Sequence, residues 1–313
     1  MVTRDDVRYA YRLILGREPE SEDAIEAKVK FHESLATLRG EFLGCPEFMA
    51  THPSLGAEVA RGYWEDRGKI DITVPDDKLE RMVGRVREQW THLGEVDPYW
   101  SVLTAEEYRS NRLNDDRLEQ FYETGRQAAS VIDIFQRRTG VGVPTGICFE
   151  LGCGVGRVTQ VLARRFEKVI AADISPGNLA ICQQYMKQKN ITNVETFLIR
   201  DPSDISKIQR IDFFFSLIVL QHNPPPIQKY LLDTIFAKIS RGGGALFQTP
   251  DSMPNYSFDA DEFLNSPHAL MDMHCLPKSA VFELLRKHDI PLRDMAMDNW
   301  TGAFGSYTYF AQR

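Results

Sequence analysis

The sequence predicts an α/β protein: a mainly parallel sheet with helices on both faces, preceded by a helical N-terminal region. Two observations carry that expectation. From Gly140 onward, short apolar runs at 147–151, 169–172, 194–199, 213–217 and 245–247 alternate with amphipathic stretches. The first of those runs ends in a glycine-rich turn, Gly152-Cys153-Gly154-Val155-Gly156, just ahead of a helical stretch.

Residues 3–52 have helical texture. Asp5 or Asp6 can cap a helix whose apolar positions include Val7, Ala10, Tyr11, Leu13 and Ile14 and which ends near Gly16. Further helices are expected over 21–32 and 34–42. A looser stretch follows, with Pro53, Gly56, Gly62 and Pro75. Helical spacing returns at 77–92 and at 115–138, where Leu118, Phe121 and Tyr122 share a face. Past Gly140 the strands are separated by helices at 156–165, 176–188 and 225–240. The segment from Pro250 to Cys275 has weak periodicity and reads as an insertion at about 250–275. A helix at 277–288 and strands at 292–297 and 306–311 close the chain, so that five βα units and a final hairpin make a seven-stranded sheet.

The chain has 313 residues, 43% hydrophobic and 26% charged, with a formal net charge of −7. It contains no Lys/Arg run longer than two, which argues against a broad nucleic-acid face. Its five cysteines are odd in number and include no C-x-x-C pair, so neither a disulfide framework nor a zinc site is expected. Residues 1–6 are polar, and the most apolar stretch, 213–220, is far short of the roughly 20 residues that span a bilayer. A cytoplasmic protein without a membrane span is the resulting expectation.

The chemistry concentrates in Cys148-Phe149-Glu150-Leu151-Gly152-Cys153-Gly154-Val155-Gly156-Arg157. Glycine there lets the backbone turn sharply and approach a ligand, and the following helix offers free N–H groups. A dinucleotide fingerprint of the G-x-G-x-x-G type would need glycine at position 157, which is Arg157. The spacing is G-x-G-x-G instead, with Glu150 two residues before Gly152. A carboxylate suits a ligand bearing an amine and a sulfonium, and suits a pyrophosphate poorly. The next strand ends in Asp173, 21 residues after Gly152, where an acid can accept hydrogen bonds from ribose hydroxyls.

On these motifs, residues 146–249 resemble the class I methyltransferases, the Rossmann-like family that binds S-adenosylmethionine. The resemblance implies that Glu150, Gly152, Cys153, Gly154 and Gly156 surround the methionine and ribose of the cofactor. It implies that Asp173 holds the ribose with Ile174 beside it, and that Ser216 closes the fourth strand at the site. Asp201 matches an acid that contacts the adenine amine, and reads equally as a helix N-cap. The loop leaving the fourth strand faces the transferred methyl, which makes His222 a candidate base; the bland reading is that it orders the proline run after it. His274 is a second candidate base, or a capping histidine. Trp100, Tyr122 and Trp300 are candidates for stacking on an acceptor, or packing residues. Segments 98–104, 121–125, 273–277 and 306–311 look like those that cover the cofactor in one bacterial subgroup. Asp298 and Asn299 offer oxygen ligands, but their spacing requires no metal, and none is predicted.

Segments 10–19 and 41–48 resemble a small helical domain attached to bacterial enzymes of surface-glycan synthesis. Cys45 stands where that domain usually has serine, and the glycine and tryptophan expected after Pro19 are missing. The domain layout is therefore 1–55 as a helical accessory domain, 56–139 as a helical linker and active-site lid, and 140–313 as the catalytic domain. The leading functional expectation is O-methylation of a saccharide or glycan-linked acceptor. A small-molecule or natural-product O- or N-methyltransferase is the alternative, followed by a methyltransferase-fold scaffold with a protein partner at 1–55. Nucleic-acid methylation is rejected: Asn223-Pro224-Pro225-Pro226 lies at least six residues beyond Leu217 and lacks an aromatic to stack a flipped base.

Overall fold

Strands β1 (Ile147–Leu151), β2 (Lys168–Asp173), β3 (Val194–Leu198), β4 (Ile211–Ser216), β5 (Ile239–Pro250), β6 (Leu292–Asp298) and β7 (Ser306–Gln312) form one sheet in a computed structural model of the chain. Their order is β3-β2-β1-β4-β5-β7-β6. The structure describes residues 2–45, 47–48, 68–253, 255–267, 271–298 and 305–313. Strands β1 to β5 pair in parallel, and β7 runs antiparallel to both of its neighbours. All six residues of β4 are buried, as are the last four of β1, because helices cover both faces of a parallel sheet. The two-residue period divides them: Phe149 and Phe214 enter one core, Cys148, Phe213 and Phe215 the other.

Helix α4 (Asp76–Val96) and the short α5 (Pro98–Val102) precede the sheet. The single helix expected over 115–138 is two, α6 (Asp115–Ala129) and α7 (Val131–Thr139). Ser130 makes the break: its N–H reaches the carbonyls of both Arg126 and Gln127, and its hydroxyl donates to Gln127 O at 2.7 Å. Helix α8 (Thr159–Leu162) is much shorter than the expected 156–165. Helix α9 (Pro176–Gln188) has the expected bounds, with Ser175 capping and proline at its first position. Helix α10 (Pro225–Phe236) stops early because β5 already starts at Ile239. The segment expected as an insertion contains α11 (Ala260–Asn265) and a parallel bridge between Phe258 and Ile70, and α12 (Lys278–Lys287) follows.

The chain divides into two units, Met1–Asp66 and Arg67–Arg313. The described part of the expected linker and lid thus belongs to the second unit. In the first, helices α1 (Arg4–Ala10), α2 (Glu22–Phe31) and α3 (Leu35–Gly44) enclose a small core of Val2, Val7, Tyr11, Ile25, Leu38 and Phe42. Thr3, and not Asp5 or Asp6, caps α1: its hydroxyl accepts the Asp6 N–H while the Asp6 carboxylate accepts the Thr3 N–H at 2.8 Å. Tyr11–Leu15 winds as a π-turn, which shifts the helical face and leaves Leu13, expected inside, 82% exposed.

Candidate functional site

Strand order reverses at β1, which has β2 on one side and β4 on the other, and a crevice opens beyond their carboxyl ends. Helix α4 and residues 101–104 wall it, leaving a cavity of ≈ 430 Å³. Val83, Val86 and Trp90 line it at helical spacing from α4.

The glycine loop forms the floor. Gly152 has φ +74° and Gly154 φ +53°, left-handed conformations that favour glycine. A Cβ on Gly152 would lie 2.3 Å from a Val219 methyl, and one on Gly154 2.4 Å from a Val102 methyl. Two valines, one from the exit of β4 and one from α5, therefore seat directly on the loop.

Charge is concentrated beside that floor. Glu150 is 3% exposed and its Oε2 has no protein partner. Burial pushes its carboxyl up to about 7, and the nearby charge of Asp173 adds to this. The Thr159 hydroxyl and the Arg157 charge pull the other way. Arg157 donates to Thr124 Oγ1 at 3.2 Å, leaves Nε unpartnered, and is held below the usual guanidinium range by burial. The Asp173 carboxylate accepts the N–H groups of Gly154 and Ser175, each at 2.8 Å. Burial raises its pKa, against the lowering effect of these backbone donors. Asn178 Oδ1 and Gln221 Oε1 are also buried without partners. Four orphaned polar atoms thus belong to residues that line one cavity, the pattern of a site built for a polar ligand.

His222 also lines the cavity, its ring 5.3 Å from that of Trp90. Its Nδ1 faces the Asp272 carbonyl at 3.3 Å. A carbonyl only accepts, so this contact favours the tautomer with the proton on Nδ1. Burial lowers the His222 pKa, against smaller opposing effects of the Asp272 and Met271 backbone.

Of the residues singled out from sequence, Glu150, Gly152, Cys153, Gly154, Asp173, Ile174 and His222 line this cavity. The others lie elsewhere. Gly156 packs on α9, its Cβ position 2.9 Å from Cys182 Sγ. Asp201 caps the short helix Pro202–Lys207 through the Ser203 N–H at 2.8 Å, while its neighbour Pro202 lines the cavity. Ser216 donates to Leu151 O at 3.2 Å, tying β4 to β1. His274 lies behind the wall: its ring nitrogen meets Tyr256 Oη at 3.2 Å and its N–H donates to Gln221 O at 2.7 Å. The Trp100 ring carries the Arg109 guanidinium at 3.8 Å. Tyr122 stacks on Tyr185 at 3.5 Å and donates to Val155 O, beneath the glycine loop. Trp300 and Asn299 lie outside the described residues, and Asp298 accepts the hydroxyls of Ser306 and Thr308.

Trp90, Asn178, Gln221 and Met271 are not singled out by the sequence, and Arg157 enters there only as the absence of a glycine, whereas Met273 falls in the segment 273–277 expected to cover the cofactor. The expected cover at 98–104 supplies Ser101 to Thr104, and the 83, 86, 90 spacing on an expected helix is the signal that could have found Trp90. Among the described residues, no group of three or more His, Cys, Asp or Glu could hold a metal ion, and no helix is long and apolar enough to cross a membrane.

Residues 149–243 match the family described as a methyltransferase domain. No curated protein matches the chain by sequence. The fold is similar to that of magnesium protoporphyrin IX methyltransferase from Synechocystis PCC 6803 with bound S-adenosylhomocysteine: 16% identity, TM-score 0.51, covering 74% of this chain and 99% of that one. It is also similar to Haemonchus contortus phosphoethanolamine N-methyltransferase 1 in complex with phosphoethanolamine and S-adenosylhomocysteine, at 13% identity and TM-score 0.53, covering 75% of this chain and 49% of that one. At such identities the likeness is one of fold.

Proposed function

We propose that this chain, a class I S-adenosylmethionine-dependent methyltransferase, methylates a hydroxyl oxygen, with a saccharide or glycan-linked hydroxyl as the acceptor and His222 as the base. The residues present fit the cofactor. Glu150 and Arg157, opposite charges with one unpartnered atom each, suit the ammonium and carboxylate of its amino-acid end. Asp173 suits the ribose hydroxyls, and Ile174, Ile199 and Pro202 offer apolar contact to the adenine. When bound, the cofactor supplies a methyl group on a sulfonium, and the roof of α4 excludes water from its surroundings.

The observation behind oxygen chemistry is the place of His222 in the cavity wall, with Nδ1 turned to the Asp272 carbonyl at 3.3 Å. A sugar hydroxyl has a pKa far above 7, so its attack benefits from a base at hand. Burial lowers the His222 pKa, which favours the neutral ring that can take a proton. The glycan assignment is supported by the resemblance of the first three helices, which we read as a docking module for a protein partner in the same synthesis. A small-molecule acceptor is the second reading. It is favoured by the apolar side chains of Trp90, Leu217, Met271 and Met273 in the cavity wall.

Radiolabelled cofactor incubated with a panel of sugars, glycolipid headgroups and phenols tests both readings. Label confined to phenols would sink the glycan assignment. His222→Ala should lower turnover by about two orders of magnitude, within the usual worth of a positioned base, and leave cofactor affinity nearly intact. At saturating cofactor, wild-type turnover should rise with pH through a midpoint below 6.5, because the base works only when neutral; that limb should vanish in the variant. A rate in His222→Ala equal to wild type would remove the histidine from the chemistry. Gly152→Ala should cut cofactor affinity at least tenfold, since its Cβ would meet Val219 and its φ is left-handed; titration calorimetry reads this directly.

A further inference from the structure

Ile218 has φ +60°, a left-handed conformation that a β-branched side chain adopts only when its surroundings impose it. It lies where β4 gives way to the loop that carries Val219 and His222, and all three residues line the cavity. A hydrogen-bond relay meets its backbone. The Ile218 N–H donates to Gln248 Oε1 at 3.0 Å, and Gln248 Nε2 donates to Ser306 Oγ at 2.7 Å. Ser306 Oγ in turn donates to Asp298 Oδ1 at 2.6 Å. Gln248 and Ser306 are both fully buried. The carboxamide therefore has a fixed orientation, because a serine hydroxyl committed to a carboxylate can only accept from Nε2.

We propose that Gln248 is a positioning residue for the cofactor site: through the relay to Ser306 and Asp298 it holds the backbone of Ile218 left-handed and so keeps Val219 seated on Gly152. The consequence is geometric. Gly152 has room for Val219 only because it lacks a Cβ, so a small rotation at Ile218 moves the valine off the loop and loosens the floor under the ligand. The inference rests on the cofactor reading above and is independent of the acceptor.

The test is calorimetric titration with S-adenosylhomocysteine, alongside thermal melts, on wild type, Gln248→Met, Ile218→Gly and the double variant. Gln248→Met should weaken binding by about tenfold, a modest share of what a strained backbone stores. In the Ile218→Gly background the same change should cost less than about twofold, because glycine holds φ +60° unaided. A merely structural role for Gln248 predicts equal losses in both backgrounds. That result, or unchanged affinity in Gln248→Met, would overturn the proposal. Should Gln248→Met fail to fold, Ser306→Ala breaks the relay one step further out and should show the same dependence on Ile218. Absence of binding to the wild type would overturn the cofactor reading and this inference with it.

Discussion

Asp173→Ala is expected to weaken S-adenosylmethionine binding by at least a hundredfold, roughly 3 kcal/mol, while the sheet stays folded. The carboxylate accepts two buried backbone N–H groups, from Gly154 and Ser175, and alanine would leave both without partners. Hydrogen bonds to a charged group are worth about 1.5–3 kcal/mol each, and the loss would fall on the glycine loop itself. On the proposed binding mode, the ribose contacts go with them. Asp173→Asn should show a smaller loss, since a carboxamide keeps one accepting oxygen and the same shape. Calorimetry on the three proteins, with circular dichroism to establish folding, separates the cases. Affinity unchanged in a folded Asp173→Ala protein would remove this residue from the site.

That Asp173 closes the second strand is legible in the amino-acid sequence, and the reason is general. Central strands of a parallel sheet are buried on both faces and read as unbroken apolar runs, so β1, β2 and β4 stand out. Strand β5 is legible only at 245–247 although it runs from Ile239 to Pro250, because Gly242, Gly243 and Gly244 sit inside it and carry no strand signal. The helical break at Ser130 depends on one hydroxyl choosing a local carbonyl, which periodicity does not register.

In the site, legibility follows the backbone. Residues tied to the turn after β1 and to the end of β2 arrive in the cavity because the fold delivers those positions there. Aromatics chosen for their chemistry carry no such guarantee. Tyr122 reaches the glycine loop from below, and Trp100 is covered by Arg109. Trp90 enters the cavity instead, through the face of α4 that also carries Val83 and Val86. Which face of a lead-in helix meets the sheet is a tertiary choice, and so is the left-handed turn at Ile218, whose hydrogen-bond partner lies 30 residues away at Gln248.

Glu150 gives the second large effect, and its sign differs between binding and stability. For binding, the ammonium of the cofactor prefers the carboxylate. With the carboxyl at about 7 in the free protein, affinity should climb by up to about tenfold per pH unit between pH 5.5 and 7, then level off. For stability, an acid raised from its ordinary 4.5 to about 7 binds its proton more tightly when folded. Below pH 4.5 both states hold the proton and nothing is gained or lost. Between 4.5 and 7 only the unfolded chain releases it, so stability falls by about 1.4 kcal/mol per pH unit and is lower by roughly 3 kcal/mol above pH 7. On the proposed assignment, the ligand-free protein holds a buried carboxylate at a cost that the cofactor's ammonium offsets. Glu150→Gln should abolish both trends: a higher melting temperature than wild type at pH 8 without ligand, and weaker cofactor binding that no longer varies across pH 5.5 to 7. A variant that melts higher yet binds as tightly as wild type would mean that Glu150 does not meet the ammonium. A variant that melts lower would mean that the carboxylate is stabilised in the empty site, and the assigned elevation of its pKa would be wrong.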